Sequence, residues 1–407
     1  MNGRTIPALM FFAVMGCSDS GGTVESGFPP LSDDPAHYQV DPEITYEVQV
    51  SEPRWAVPST GLPPDVQVQP ANNNVDIIFF EGRLFMAWRT APYHFASEET
   101  RMYVVSSVDQ GQTWEYETEF ALGSDVREPR FIALGGVLRL MFFQGGTDIV
   151  SFEPVRMWRS TYESPGQWDG PEIALDAPEV PWDVKVRDGV AWMTSYEGAH
   201  YGELGQGGIL VYFKRSTDGL NWEHVDDAPY VYDGGVSEAA FEFDEEGGLW
   251  VVTRNEDGDQ TGFGSHLCTA EAGALSVWDC PETSAPERYD SPEMFRHGRE
   301  IYLVARGDVG GLYGEDDDIL DYSLRPKRTA LYRVNREART VEHVIDLPGA
   351  GDTAFPSVRR PGAHTFLLAN YTSPLDDPDI SWIDAQISDR GTQIYLLDVS
   401  FVPVGSL

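Results

Sequence analysis

Basic residues are scarce in this chain. Its 407 residues include 28 Lys and Arg against 66 Asp and Glu, a formal net charge of −38. A phosphate backbone requires basic surface, so non-specific nucleic-acid binding is excluded as a default, and anionic membranes and polyanions are repelled at long range. Helical periodicity is nearly absent, and after the first residues no apolar run is long enough to span a bilayer. Cysteine is also rare, with three residues. Two of them, Cys268 and Cys280, flank TAEAGALSVWD, a length suited to a hairpin, and are expected to form a structural disulfide between neighbouring strands.

The third cysteine belongs to the N-terminus. Arg4 precedes a mostly apolar run from Ile6 to Met15, too short for a mature spanning helix and suited to a signal-peptide core. The run ends in Val14-Met15-Gly16-Cys17 before a polar Ser/Asp/Gly stretch. This resembles a bacterial lipobox, which implies a lipidated Cys17; an ordinary signal peptide with an incidental cysteine is the alternative. The expected organisation is a signal peptide over 1–16, a flexible tether over 17–39 and one folded unit over 40–407. The protein is expected to be exported to the bacterial cell envelope, facing the periplasm or the cell surface, held to the membrane by its lipid alone and monomeric.

What is abundant is a strand pattern that repeats. VDIIFFEGRLFMAWRT (75–90) reads as strand, two-residue turn, strand, rich in β-branched and aromatic residues. The pattern recurs at 129–144, 182–197, 239–255, 292–307 and 356–371, and runs such as TRMYVVSS (100–107) supply third strands. Six units of about 50 residues predict an all-β fold, a six-bladed β-propeller of antiparallel four-stranded blades. The last unit, ending in QIYLLDVSFV (393–402), lacks a fourth strand, which ITYEVQVS (44–51) near the N-terminus is placed to supply, closing the ring.

SVDQGQTW (107–114) falls between the third and fourth strands of blade one. Ser107 and Asp109 can hydrogen-bond turn amides, Gly111 can take a positive φ, and Trp114 can pack under the loop. STDGLNW, with Ser216, Asp218 and Trp222, occupies the same place in blade three, and STYESPGQW (160–168) and NREARTV (335–341) are eroded versions. These motifs resemble the Asp-box repeats of the sialidase (neuraminidase) superfamily. The resemblance implies a sialidase-like propeller and says little about chemistry, because non-enzymatic propellers carry such boxes too.

Function is expected around the channel mouth, where first strands begin and second strands end. Second-strand ends carry Arg89, Gln144, Tyr196, Arg254, Arg306 and Tyr371; first-strand starts carry Asp76, Glu128, Asp183, Glu238, Glu293 and Asp352. SEAAFEFDEEGGLWVVTRNEDG (237–258) looks like the sialidase segment in which a Glu begins one strand and an Arg ends the next. By that resemblance Glu238 activates a nucleophilic tyrosine, Tyr371 in NYTSPL (370–375) is that nucleophile, and Arg254 and Arg328 belong to the triad that clamps a substrate carboxylate. Arg89 matches another arginine of the family, with Arg306 and Tyr196 as further substrate contacts. The Arg-Ile-Pro motif of sialidases is replaced by NNNVDI (72–77), and the family's acid has no clean counterpart in TAPYHFASEET (90–100), where His94, Glu98 or Glu99 could stand in.

The resemblance implies an exported glycoside hydrolase with a carbohydrate substrate, an acidic sugar among the candidates, and no cofactor. Two alternatives stand beside it. One is a carboxylate-only glycosidase using Glu128, Asp183 and Glu238, which resemble the first-strand acids of five-bladed furanosidase-type enzymes. The other is a non-catalytic carbohydrate-binding or scaffold propeller. NEDGDQTG (255–262) and GEDDDILD (314–321) are oxygen-rich enough to suggest Ca²⁺ but lack the spacing of a calcium loop. His94, His200 and His266 show no paired zinc spacing, so no metal is expected.

Overall fold

Each of the six repeated runs folds back on itself as an antiparallel hairpin, and the hairpins are the inner halves of six blades. The computed structural model of the chain describes residues 32–405 apart from 150, 199–207, 283, 284, 286 and 311–318. Blade one comprises the strands Ala71–Phe80, Arg83–Ala91, Arg101–Ser107 and Glu115–Phe120 in spatial order, and blades two and five repeat this four-stranded plan. The inner strands are buried on both faces, which explains why they read as near-continuous apolar runs.

Blade six closes the ring. Its inner three strands end in Gln393–Pro403, and the N-terminal strand Tyr46–Val50 pairs with it in the register Tyr46↔Pro403 to Val50↔Val399. Arg54–Val57 adds further pairing to the same strand. Blade four departs from the four-stranded expectation. Among the described residues it has three strands, Val236–Phe243, Leu249–Asn255 and Leu267–Ala270, and the fourth place holds one bridge, Thr269↔Asp279, fastened by the Cys268–Cys280 disulfide. In blade three the fourth place is shared by two short strands, Glu223–His224 and Tyr232–Gly234, both paired with Ile209–Ser216.

The two Ser-x-Asp turns fold as their spacing predicts. Ser107 Oγ accepts from Gly111 N at 2.8 Å, Asp109 Oδ1 accepts from Thr113 N at 2.9 Å, Gly111 has φ 83°, and Trp114 is buried. In blade three Ser216 Oγ accepts from Gly219 N, Asp218 Oδ1 accepts from the amides of Leu220 and Asn221, and Trp222 packs on the Ile132 cluster.

Residues 1–31, including Cys17, lie outside the described residues, and no described helix is long and apolar enough to cross a membrane. Residues 32–39, the end of the stretch read as a tether, are packed. Asp34 accepts from Asp188 N, Asp33 from Arg360 N, and Arg360 stacks on the Tyr38 ring. This segment lies over the channel end formed by the hairpin turns, where it borders a cavity of about 290 Å³ reached also by Arg187, Glu242 and Arg359.

Neighbouring blades are stitched along the axis by buried carboxylates. Asp76 accepts from Phe131 N of blade two (2.6 Å) and from Ser357 Oγ (2.5 Å) and Arg359 Nη2 (2.9 Å) of blade six. Asp183 accepts from Phe241 N of blade four at 2.9 Å and from Lys185 Nζ, which also reaches Glu293. Asp183 was expected at the mouth as a catalytic acid, and Asp76 and Glu293 as members of the same ring; all three instead act inside the channel as blade-to-blade links. Asp76→Ala leaves the Phe131 amide without its acceptor and Arg359 with Asp33, at 3.5 Å, as its one ion-pair partner among the described residues, so urea denaturation should show a loss of about 3–5 kcal/mol.

Candidate functional site

The mouth is shaped by a repeated irregularity in the inner strands. In five blades the pairing of first with second strand slips where the first strand begins, at Asn74, Glu128–Pro129, Trp182, Ser237–Glu238 and Ser291–Pro292. Asn74, Glu128 and Ser291 take φ between 49° and 54°, and Ala354 of blade six has φ 71°. Such bulges break the in–out alternation and re-aim side chains toward the axis. The floor beneath them is Arg130, whose guanidinium lies 5.2 Å from the Trp182 ring and 4.4 Å from that of Phe355, while Trp182 Nε1 donates to Pro292 O.

On one side of the mouth three arginines converge on one aspartate. Asp290 Oδ1 lies 2.6 Å from Arg288 Nε and 3.3 Å from Arg254 Nε, and its Oδ2 lies 3.2 Å from Arg306 Nη2 and accepts from the Tyr322 hydroxyl. Burial opposes ionisation of Asp290, but Arg288, Arg254 and Arg306 outweigh it and hold the group far below the ordinary carboxylate range. Arg254 also bonds Glu238 Oε1 at 2.6 Å and Glu256 at 3.1 Å, and Glu238 Oε2 accepts from Ser291 N at 2.7 Å. A second aspartate, Asp125, holds Arg89 Nε at 2.8 Å and also binds Arg127.

Between them lies a Tyr–Asp–His chain, with Arg306 donating to the Thr353 carbonyl and Arg127 to the His94 carbonyl. Tyr371 donates to Asp352 Oδ1 at 2.9 Å, and His94 Nδ1 lies 2.7 Å from Oδ2 of the same carboxylate. Burial lowers the His94 pKa, so the ring is neutral at pH 7 and its Nδ1 carries the proton it gives to Asp352. Burial also works against the Asp352 anion, yet His94, Arg306 and the Tyr371 hydrogen bond keep it ionised. Burial and the Asp352 charge raise the Tyr371 phenol well above its ordinary value. Glu128 stands nearby with its Oε2 bonded to Asn74 Nδ2 at 3.2 Å, and burial, reinforced by the charge of Glu238, pushes its pKa up to about 8. Glu238 is likewise raised, by burial and then by Glu256 and Asp290, and the Tyr196 phenol is raised by burial and by Glu128 and Glu238.

The structure thus brings together Tyr371, Glu128, Glu238, Tyr196, Arg254 and Arg306, and replaces the expected pairing of Glu238 with Tyr371. Tyr371 bonds Asp352, and Glu238 is engaged by Arg254 and a backbone amide. Arg328 is outside the cluster, on the third strand of blade five, where it bonds the carbonyls of Lys327 and Pro378 and lies 3.4 Å from Asp379. Arg89 is fully buried, its guanidinium engaged by Asp125, Asn73 and the carbonyl of Phe95; burial lowers its pKa to about 10. Of the three stand-ins for the acid, His94 joins the site and Glu98 and Glu99 are exposed.

Asp290, Arg288, Asp125, Arg127, Glu256 and Tyr322 were not anticipated from the sequence. The available signals were the proximity of Arg288 to Asp290 in RYDSPE and of Arg127 to Glu128 in REPRF. In the loop 255–262, Glu256 faces Arg254, and Asp259 accepts from Tyr232, Thr261 and Gly235; no group of three metal-ligating side chains occurs among the described residues. Residues 311–318 of the other acidic loop, and His200, lie outside the described residues; His266 bonds Tyr232 and Thr261.

No protein-family model and no curated protein sequence matches the chain. Solved structures do. A Dyadobacter fermentans protein of unknown function aligns over 87% of this chain and 99% of its own, with 14% identity and a TM-score of 0.60. Trypanosoma rangeli sialidase aligns over 88% of this chain at 12% identity and a TM-score of 0.55, and the phage phi92 endosialidase over 89% at 10% identity and 0.56. This chain spans 60% of the trypanosomal protein's length and 70% of the phage protein's. The propeller is therefore of the sialidase kind, a likeness of fold.

The raised Glu128 pKa has a thermodynamic signature. The folded state holds a proton on Glu128 up to about pH 8, which the unfolded chain releases near its ordinary value of 4.5. The folded state thus binds more protons in that window, so the contribution of Glu128 to stability falls as pH rises from about 4.5 to about 8. Glu128→Gln removes the effect. In urea denaturation the variant should gain stability relative to wild type between pH 5 and pH 8; parallel pH profiles would show that Glu128 titrates normally.

Proposed function

We propose that the protein is a glycoside hydrolase of sialidase-like fold acting on a glycan at the channel mouth. The observation that carries this reading is the buried hydrogen bond from Tyr371 to Asp352, oriented by His94 and set in the same cluster as a carboxyl group that burial keeps protonated at neutral pH. In the proposed mechanism, Tyr371 Oη attacks the anomeric carbon while Asp352 takes its proton. The bond to the leaving oxygen breaks with its electron pair, and Glu128 donates a proton to that oxygen. Water then attacks the same carbon, returning a proton to Glu128, and the phenol leaves as Asp352 gives its proton back. A neutral nucleophile with a high pKa needs such a base, because the phenolate is not populated at pH 7.

A second reading, glycan binding without hydrolysis, is favoured by one observation: the mouth arginines are held by the protein's own aspartates, Asp290 and Asp125. Turnover of a panel of aryl glycosides separates the two. For the hydrolase, Glu128→Gln should lower kcat by ~10²–10⁴, and Tyr371→Phe by at least as much, with the fold intact by circular dichroism. Near-normal turnover in Tyr371→Phe, together with loss in Glu128→Gln and Glu238→Gln, would replace the tyrosine by a carboxylate mechanism. Retention on a glycan array without any turnover would make the chain a binding module.

The same proposal places the protein outside the cytoplasm, anchored through a lipidated Cys17. The Cys268–Cys280 disulfide supports an oxidising compartment. Radiolabelled palmitate fed to the producing cells should label the wild type and not Cys17→Ser, which should leave the membrane fraction; an unlabelled wild type would sink the anchor.

A further inference from the structure

We propose that Asp290 is a built-in occupant of the mouth's arginine clamp, a specificity-determining residue that makes the site select glycans carrying no charge where the clamp faces them. The inference rests on the reading of the mouth as a glycan site and deepens it. Three guanidinium groups, from Arg254, Arg288 and Arg306, surround one carboxylate that is itself fully buried and also takes the Tyr322 hydroxyl. That is the arrangement that would receive the carboxylate of an anionic ligand, since guanidinium–carboxylate pairs are strong and directional. Here the carboxylate belongs to the protein.

Charge balance gives the consequence. Against the three arginine charges stand Asp290 and the two further carboxylates on Arg254, Glu238 and Glu256. The arginines outside the clamp are Arg89 and Arg127, which share Asp125, and Arg130, which stacks on Trp182 and Phe355. Within the clamp, where three arginines face three carboxylates, an incoming carboxylate meets no uncompensated cation, and it approaches Glu238 and Glu256. To enter the clamp it must expel Asp290 and strand that carboxylate in a buried place without its cations, a penalty larger than the stabilisation the new ion pairs return. A neutral sugar meets hydrogen-bonding carboxyl and hydroxyl groups and needs no such exchange. The clamp's remaining role is to position Arg254 against Glu238 and Arg306 against the Thr353 carbonyl.

Binding, which does not depend on turnover, provides the test. Isothermal titration calorimetry of the full chain with methyl galactoside and methyl glucoside, and with N-acetylneuraminate and glucuronate, should show wild-type heat for at least one neutral sugar and none for either anion at equal concentration. Asp290→Asn and Asp290→Ser remove the resident charge while Asn keeps the shape. Each should gain at least about tenfold in affinity for an anion while changing neutral-sugar affinity less. Wild-type binding of N-acetylneuraminate or glucuronate tighter than of the neutral sugars overturns the proposal, as does a folded Asp290 variant with no gain for anions. If both variants fail to fold, the wild-type comparison alone decides. Heat with neither class overturns the glycan reading together with the proposal, whereas selective neutral binding without turnover in the aryl-glycoside panel leaves the proposal standing and removes only hydrolysis.

Discussion

Everything at the mouth depends on the pairing of Tyr46–Val50 with the last strand of the chain. A propeller blade buries its faces only against its neighbours, so an open ring would expose two inner sheets and a strand edge. Closure by an N-terminal strand joins the two ends of the fold in one sheet, and the final blade cannot be complete until both are present. Asp76 then ties blade one to blades two and six around the same seam.

Closing six strands around one axis crowds polar starts of strands into a small volume. The bulges relieve the crowding by turning successive residues inward, at the cost of left-handed backbone at Asn74, Glu128 and Ser291. Glu128 is both a strained residue and a carboxyl with a strongly raised pKa, and the two properties have one origin: the bulge drives its side chain into a buried position beside another acid. Where an acid can reach an arginine, as Asp290 and Asp125 do, the pair is ionised. Glu128 makes no ion pair among the described residues, and burial keeps its proton in place. The division of the mouth into charged clamps and a protonated acid thus follows from which side chains the bulges bring within reach of guanidinium groups.

The six hairpins, the closing strand, the Ser-x-Asp turns and the disulfide were legible in the sequence, because each is encoded by residues close together in the chain or by a simple alternation. The mouth was legible as a set of residue types, and Tyr371, Glu128, Glu238, Arg254 and Arg306 do meet there. Their partners were not. Asp352 and His94 are 258 residues apart and belong to different blades. A one- or two-residue slip in the inner strands decides whether a carboxylate sits at the mouth, as Glu238 does, or inside the channel, as Asp183 does. Arg328 followed the family's motif to a strand position that the blade-five register turns toward Asp379. The three-stranded form of blade four was not legible either, because a disulfide and one bridge hold the place of a strand ladder.

The Arg130–Trp182–Phe355 floor and the packed segment 32–38 at the far end together make the channel a dead end. A polymer cannot be threaded through the ring. Whatever enters the channel must leave by the door through which it came. Arrival and departure share one path, so one bound ligand obstructs the next until it has gone.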